Sequence, residues 1–180
     1  MNKVFLDGTT IYLRGIEEAD LTDSYIQWFN DSEVCQYNSH HRYPHSREAM
    51  HDYYKNVILS KNNLTLAIID KATNKHIGNV SLQDIDFINR CAEYAIIIGD
   101  KGSWGKGVGK DASRLIIDHG FRALNLHRIY CGTSDDNLGM QKLADYLGFV
   151  KEGVARQSMF KNGAYRNSIL YGLLADQWKR

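Results

Sequence analysis

The sequence predicts an α/β (α+β) domain in which about four helices flank one mixed, mostly antiparallel sheet of about seven strands. Three observations support this class. Strand-like alternation marks several short segments, apolar residues recur at helical spacing in others, and Asn162-Gly163 between two strand-like segments is a strong hairpin signal. Residues 1–180 are expected to form a single domain, because no linker, repeat or low-complexity tract interrupts them.

The first half of the chain predicts a strand, two helices and then three strands. An acidic run at Glu17 to Asp20 begins the first helix, which ends near Asn30-Asp31, and Ser46 caps the second. The polar, aromatic stretch from Cys35 to His45 between these helices is expected to be a surface loop. The strands are expected at Thr9 to Arg14, Leu64 to Ile69, His76 to Leu82 and Cys91 to Ile98.

The second half continues with two helices and three strands. A glycine-rich turn leads into a helix that ends near Ala123, and a further helix is stopped by Gly148. The helix that Gly148 stops runs from Asn137 to Leu147. The three strands are His127 to Gly132, one that begins at Phe149 and includes Arg156 to Phe160, and Asn167 to Leu173, and the last two form the hairpin.

The glycine-rich turn from Trp104 to Lys110 follows an apolar strand and begins a helix, the arrangement of a phosphate cradle. The P-loop pattern fails, since Asp111 follows Gly109-Lys110 where that pattern needs serine or threonine. The dinucleotide fingerprint fits Gly107 to Ala112, but too little chain follows for the repeated units of that fold. The pyrophosphate loop of acetyl-CoA-dependent acetyltransferases and a connector that binds no ligand remain open.

Charge and composition argue against several classes of function. The formal net charge of +1 gives no footprint for nucleic acid or an anionic membrane, and no segment has the length of a membrane span or a signal peptide. The three cysteines, Cys35, Cys91 and Cys131, lack a disulfide or zinc pattern, and the histidines have no metal-ligand spacing. We therefore expect a cytoplasmic protein with reduced thiols and no metal.

The chain resembles the GCN5-related N-acetyltransferase (GNAT) superfamily, and within it the subgroup that includes the ribosomal-protein N-terminal acetyltransferases. The resemblance runs from Ile11 to Leu173. Its most specific pieces are Ala92-Glu93-Tyr94-Ala95-Ile96-Ile97-Ile98, Trp104-Gly105-Lys106-Gly107-Val108-Gly109, Asn137, Leu147-Gly148-Phe149, Glu152-Gly153 and Asn162-Gly163. It implies the GNAT acyl-CoA N-acyltransferase fold and acetyl-CoA as cosubstrate.

The resemblance also implies where acetyl-CoA binds. The pantetheine arm would lie between Ile96-Ile97-Ile98 and the strand after His127, and a backbone N–H near Ile97 or Ile98 would stabilise the oxyanion. Asn137 would bond the pantetheine or a water molecule. The pyrophosphate would bind the amides of Trp104, Gly105, Lys106, Gly107, Val108, Gly109 and Lys110.

The catalytic residues depart from the family pattern. The positions at which relatives carry a tyrosine, a serine and a glutamate are Ala144, Met140 and Met159 here, and none of these can transfer a proton. We therefore expect Glu93 to be the general base, with His127 as a second candidate.

The acceptor is expected to be the primary amine of a small molecule, attacked directly in a ternary complex. Hydroxyl-rich or phosphorylated acceptors, such as an amino-sugar nucleotide, suit the mixture of aromatic, amide and cationic groups better than a polyamine does. A protein N-terminus and a non-catalytic acetyl-CoA-binding module remain alternatives, and so does a homodimer. The acceptor-binding candidates are Tyr37, Asn38, His40, His41, Arg42, Asp84, Arg156 and Tyr165.

Overall fold

A computed structural model of the protein describes residues 3–179. Its strands are β1 (Leu6–Asp7), β2 (Ile11–Gly15), β3 (Leu64–Asp70), β4 (His76–Asp86), β5 (Cys91–Ile98), β6 (Arg128–Ser134), β7 (Val150–Lys161) and β8 (Ala164–Leu174). They form one sheet in the order β1-β2-β3-β4-β5-β6-β8-β7. Only the β5–β6 pair is parallel among these strands, so the predicted mixed, mostly antiparallel sheet is confirmed.

Four α-helices flank the sheet, as predicted. They are α1 (Asp23–Asn30), α2 (Arg47–Tyr53), α3 (Val108–Arg122) and α4 (Leu138–Leu147), and a π-helical turn at Tyr54–Ile58 extends α2. The helices α3 and α4 pack on one face of the sheet, and α1 and α2 cover part of the other. None of the helices within residues 3–179 is long and apolar enough to cross a membrane.

The start of the chain differs from the prediction in two ways. The two-residue strand β1 adds an eighth strand, and the acidic run does not begin the first α-helix. Glu17 and Asp20 instead cap each other around a 3₁₀ turn at Glu18–Asp20. Thr22 then accepts a hydrogen bond from the Tyr25 N–H, and α1 begins at Asp23.

Irregularities interrupt the pairing of two strands, β4 and β7, without ending it, and β4 is longer than predicted. β4 continues past Leu82, with a register shift between Gln83 and Asp86. Within this shift Asp84 has a φ of 48°, a left-handed conformation that few non-glycine residues adopt. The register of β7 relative to β8 shifts twice, between Lys151 and Gly153 and between Ala155 and Met159.

The face covered by α3 and α4 holds the main apolar core. Leu82 of β4, Tyr94 of β5 and Ile116 of α3 are almost completely buried there. Gly120 lets the helix approach the sheet closely, because an added Cβ atom would lie 2.8 Å from Cδ1 of Leu82. This packing fixes α3, and with it the glycine-rich turn at its N-terminus.

The parallel strands β5 and β6 pair over a short stretch only. Cys91 to Glu93 face Arg128 to Tyr130, and beyond them the two strands separate. β6 remains paired with β8 along its whole length, so β5 alone leaves an unpaired edge. A gap therefore forms in the middle of the sheet, beside the C-terminal half of β5.

Candidate active site

The gap between β5 and β6 is a cavity of about 430 Å³. The separated strands supply two of its walls, the glycine-rich turn and the start of α4 supply a third, and the loop between α1 and α2 covers it. The structure thus gathers eight of the residues predicted from the sequence: Tyr37, Asn38, Glu93, Ile96, Ile97, Ile98, Trp104 and Asn137.

Hydrogen bonds just beyond the two ends of β5 show which of its backbone groups face the gap. Alternate residues of a strand direct their backbone groups to opposite neighbours. Past the end of β5, the Gly99 N–H donates to the carbonyl oxygen of Ile77 in β4 (3.0 Å). Before its start, the Arg90 carbonyl accepts from the N–H groups that lead into β6 (2.6 and 3.1 Å). Odd-numbered residues of β5 therefore face β4, and even-numbered residues face the gap.

This alternation leaves the backbone of Ile96 and Ile98 facing the cavity. Ile97 lies opposite Asn79, and its backbone groups face β4. The Ile98 carbonyl accepts a hydrogen bond from the indole N–H of Trp104 (2.8 Å), which ties the glycine-rich turn to the end of the strand. The N–H groups of Ile96 and Ile98 are therefore the ones that a ligand in the gap can reach.

The glycine-rich turn presents a row of unpaired backbone donors. Gly105 and Gly107 have positive φ angles of 73° and 80°, and Gly107 is the N-cap of α3. Within residues 3–179, no oxygen accepts a hydrogen bond from the N–H groups of residues 105–110. The Val108 side chain is buried in the core and anchors the turn. Such a row at a helix N-terminus is suited to an anion.

Cations surround this turn on its solvent side. Lys106, Lys110 and Arg114 line a cavity of about 490 Å³ next to the turn. The ammonium group of Lys110 lies 4.3 Å from the ring centroid of Tyr146. Asp111, which broke the P-loop pattern, has a structural role: its carboxylate accepts from the N–H groups of Thr9 and Thr10 (2.8 and 3.0 Å).

Glu93 lies at the inner end of the cavity. Its side chain points away from the apolar core, between Gln83 of β4 and Tyr130 of β6. Among the described residues its carboxylate has no hydrogen-bond or ion-pair partner. Burial raises the pKa of Glu93, and the nearby negative charge of Asp84 raises that pKa further. A pKa raised by burial and a neighbouring charge is common among carboxylates of active sites, so Glu93 remains a candidate general base.

A second cavity, of about 110 Å³, lies on the α1 and α2 side of the same strand. Polar side chains of β4 line it, namely Asn79, Ser81 and Gln83, together with His40 from the loop. Burial, with the charges of His45 and Lys161, lowers the pKa of His40 to about 4, so its imidazole is neutral at pH 7. The two cavities share four lining residues: Asn38, Ala95, Ile96 and Ile97.

Two hydrogen bonds join the loop between α1 and α2 to the β7–β8 hairpin. The Lys161 ammonium donates to the His40 carbonyl oxygen (2.6 Å), and the Arg42 guanidinium donates to the Phe160 carbonyl oxygen (3.1 Å). These bonds hold the loop over both cavities. Arg42 itself lines neither of them, so the structure gives it a role in fixing the loop.

Five other predicted site residues lie outside the cavities. His127 is exposed and directly precedes β6. At this end β6 is paired with β5, whereas the gap lies at the other end, where the two strands separate. His41, Arg156 and Tyr165 are exposed, and Tyr165 packs on Phe160 at the hairpin tip. Asp84 is exposed near Glu93 and acts on it through charge.

Asn137 is occupied in capping a helix. Its side-chain oxygen accepts from the Met140 N–H (3.1 Å), and its amide donates to the Thr133 hydroxyl (3.1 Å). One amide hydrogen remains for a ligand. Met140 lines the cavity and Ala144 is buried beside it, so no proton donor stands at either position.

Sequence reasoning missed the polar side of β4. Asn79, Ser81 and Gln83 occur at every second position, which is the period of one face of a strand, so this signal was present in the sequence. Lys161 and Thr133 carried no such signal, because their roles depend on the packing of segments distant in sequence.

Comparisons with known proteins agree with this geometry. The family model described as "Acetyltransferase (GNAT) domain" matches residues 10–150. A protein of Bacillus subtilis named probable N-acetyltransferase YjcK is 29% identical over 178 residues, covering 94% of this chain and 96% of that protein. The spermidine N(1)-acetyltransferase of Escherichia coli is 36% identical over 101 residues, which is 56% of this chain and 54% of that protein.

A solved structure extends the similarity to the whole fold. The spermidine N-acetyltransferase of Vibrio cholerae in complex with CoA and spermine is 28% identical, with a TM-score of 0.86 over 93% of this chain and 97% of that chain. The predicted enzyme class, an acetyl-CoA-dependent N-acetyltransferase that acts on an amine, is thereby confirmed. The chain belongs to the GNAT acetyltransferase family.

Proposed function

We propose that this enzyme moves the acetyl group of acetyl-CoA to the primary amine of a small, hydroxyl-bearing acceptor, and that the two substrates meet at β5. The observation that carries the proposal is the junction of the two cavities. The larger follows the unpaired edge of the strand and the smaller lies on its polar face, and they share Asn38 and Ala95 to Ile97. An amine in the smaller cavity is thus adjacent to a thioester in the larger one.

The chain's own groups account for binding the acetyl donor. The unpaired amides of residues 105–110 hold the pyrophosphate, and Lys106 and Lys110 add positive charge beside it. The backbone of Ile96 pairs with the pantetheine arm. The Ile98 N–H, directed into the gap, stabilises the oxyanion as it forms, an effect of about 3–4 kcal/mol in comparable sites.

Glu93 acts as the general base, directly or through one water molecule. It removes a proton from the acceptor ammonium, so that the neutral amine attacks the thioester carbonyl in a ternary complex. Its raised pKa makes it a stronger base than an ordinary glutamate, and its carboxylate has no hydrogen-bond or ion-pair partner among the described residues. Asp84 tunes this pKa from outside the cavity.

The acceptor class follows from the charges around the smaller cavity. Its lining groups are neutral amides, hydroxyls and an uncharged His40, and the cations Arg42 and Lys161 lie on the adjoining loop and hairpin. Lys101 pairs with both nearby carboxylates, those of Asp31 and Glu33, and offsets one of their two negative charges. Neutral donors and acceptors beside cations suit a hydroxylated, phosphorylated amine such as an amino-sugar nucleotide.

A polyamine is the second candidate, and the spermidine acetyltransferases among the relatives favour it. In that case Glu93 and Asp84 together would attract a second ammonium group. A cation must then pass Arg42 and Lys161, which makes this candidate the weaker one on charge.

A panel of acceptors tests the proposal. Thiol release from acetyl-CoA would be followed with amino-sugar nucleotides, aminoglycosides, spermidine and N-terminal peptides, with calorimetric binding of acetyl-CoA alongside. We expect the highest kcat/KM for an amino-sugar nucleotide. A higher kcat/KM for spermidine would show that the acceptor is a polyamine instead, and absence of turnover with every acceptor would contradict the proposal.

We also propose that the enzyme is cytoplasmic and forms a homodimer. Cell fractionation tests the location, and light scattering tests the oligomeric state.

A further inference from the structure

Breaking the thioester requires a proton for the departing sulfur. Sulfur leaves more readily as a neutral thiol than as a thiolate anion. A proton donor beside the sulfur therefore accelerates cleavage of the carbon–sulfur bond. Glu93 cannot be that donor at the start, because as the base it must be ionised. Among the residues that line the larger cavity, only three side chains carry a hydroxyl: Tyr37, Tyr94 and Thr133.

Two of these hydroxyls are unsuited to the role. Tyr94 is fully buried and its hydroxyl is hydrogen-bonded to Ser113 (2.5 Å) on the α3 side of the sheet, where burial raises its pKa strongly. Thr133 carries an aliphatic hydroxyl, a much weaker acid than a phenol, and already accepts from Asn137. The amides and the indole in the lining are weaker acids still.

Tyr37 differs from both. It is half-buried in the loop between α1 and α2, and its hydroxyl makes no hydrogen bond to any residue between 3 and 179. It lines the cavity together with Ile98, whose N–H faces the gap, and with Met140 at the start of α4. Of the two phenols that line this cavity, Tyr37 and Tyr94, only that of Tyr37 has no hydrogen-bond partner among residues 3–179.

The loop holds Tyr37 in place before any substrate binds. Asp31 accepts from the N–H groups of Glu33 and Val34 (2.9 and 3.1 Å), and Lys101 pairs with both acidic residues. Cys35 is completely buried, and its thiol donates to the Trp28 carbonyl oxygen (3.2 Å). With the bonds of Lys161 and Arg42 on the other side of Tyr37, the loop is held on both sides of this residue.

We propose that Tyr37 is the general acid of this enzyme, an inference that rests on the proposed function. The neutral acceptor nitrogen forms a bond to the carbonyl carbon and then loses its extra proton to water, and the resulting tetrahedral oxyanion collapses with cleavage of the carbon–sulfur bond. The electron pair of that bond goes to sulfur, which takes the proton from the Tyr37 hydroxyl and leaves as free CoA thiol. The phenolate then regains a proton from solvent.

The test compares Tyr37→Phe with Tyr43→Phe in the full-length protein. Tyr43 is on the same loop, 83% exposed, and outside both cavities, so it is a matched control. For Tyr37→Phe we expect kcat to fall about 100-fold with the acetyl-CoA dissociation constant within twofold of the wild type. The decline of kcat that a phenolic acid causes at alkaline pH should also disappear.

Three outcomes would overturn the inference: an unchanged kcat and pH profile in Tyr37→Phe, an equal loss in Tyr43→Phe, or a loss confined to acetyl-CoA binding. Each of them leaves the proposed function intact, because the wild type still turns over its acceptor. An inactive wild type would instead contradict the proposed function, and the inference with it.

Discussion

The two faces of the sheet are made from the same strands but carry different chemistry. On the α3 side, β4 contributes Val80 and Leu82, which are completely buried among other apolar groups. On the α1 side, the same strand contributes Asn79, Ser81 and Gln83, which line the smaller cavity. Alternate residues of β4 therefore pack in the core and line the smaller cavity.

The polar face has a cost that the apolar face does not. A buried polar group destabilises the fold unless it is hydrogen-bonded. Asn79 meets this requirement by donating to the Tyr25 hydroxyl (2.9 Å) and bonding to His76 (2.8 Å). From this difference we expect substitutions on the α3 face of the sheet to change mainly stability. Substitutions on the α1 face should change mainly catalysis and its pH dependence.

The largest stability effect is expected at the centre of the apolar face. Ile116→Ala removes a completely buried side chain between α3 and the sheet. We expect the free energy of unfolding to fall by about 3–4 kcal/mol, because the lost apolar contacts leave a cavity. Urea denaturation measures this value, and kcat of the folded enzyme should stay within twofold.

Ser81→Ala is the matched change on the other face of the sheet. It should lower the free energy of unfolding by less than about 1 kcal/mol and raise the acceptor KM several-fold, since Ser81 lines the smaller cavity. If Ile116→Ala and Ser81→Ala changed the free energy of unfolding equally and the acceptor KM equally, the proposed difference between the two faces would be contradicted.

The next effect is a loss of stability in acid, which we assign to His40. Burial keeps this imidazole neutral in the folded protein, with a pKa of about 4 against an ordinary value of 6.5. The unfolded chain thus binds more protons between these pH values, so stability is present above pH 6.5 and falls as the pH drops toward 4. The loss is of the order of 2–3 kcal/mol.

His40→Asn should flatten this dependence, as measured by urea midpoints at pH 7 and pH 5. His41→Asn, one residue along and exposed, is the control and should keep the wild-type slope. Burial also lowers the pKa of His45 and His76, so a residual slope is expected in His40→Asn. An unchanged slope in that variant would show that His40 is not the group responsible.

A smaller effect should appear at the glycine-rich turn. Gly107→Ala places a side chain at a positive φ of 80°, at a cost of about 1–2 kcal/mol. We expect acetyl-CoA to bind about 5–10-fold more weakly in calorimetry, because relief of this strain moves the amides away from the pyrophosphate. Gly102→Ala, whose φ is not positive and whose added Cβ would have ordinary contacts, should bind normally. Equal affinities in the two variants would contradict this role of the turn.

Sequence reasoning predicted the fold class correctly and pointed to the glycine-rich turn and to Glu93, which the structure places beside the gap, because each depends on local patterns of turn, period and neighbouring strand. It placed His127 in the site and left Lys161 out, because both positions depend on where β5 and β6 separate and on which segments cover the gap. Those are long-range features. The choice of Ile96 and Ile98 over Ile97 likewise needed the strand pairing, since sequence alone does not show which neighbour each residue faces.

The most direct test of the central claim is the pH dependence of kcat/KM for the wild type, Glu93→Gln and the control Glu18→Gln, with acetyl-CoA binding measured in each. Glu18 is exposed on the 3₁₀ turn, away from both cavities. We predict a wild-type profile that rises with pH through an inflection above the ordinary glutamate pKa, because burial raises the pKa of Glu93. In Glu93→Gln, kcat/KM should fall about 100-fold and this inflection should vanish, with acetyl-CoA binding unchanged. A Glu93→Gln enzyme with the wild-type rate and profile would contradict the account of the site.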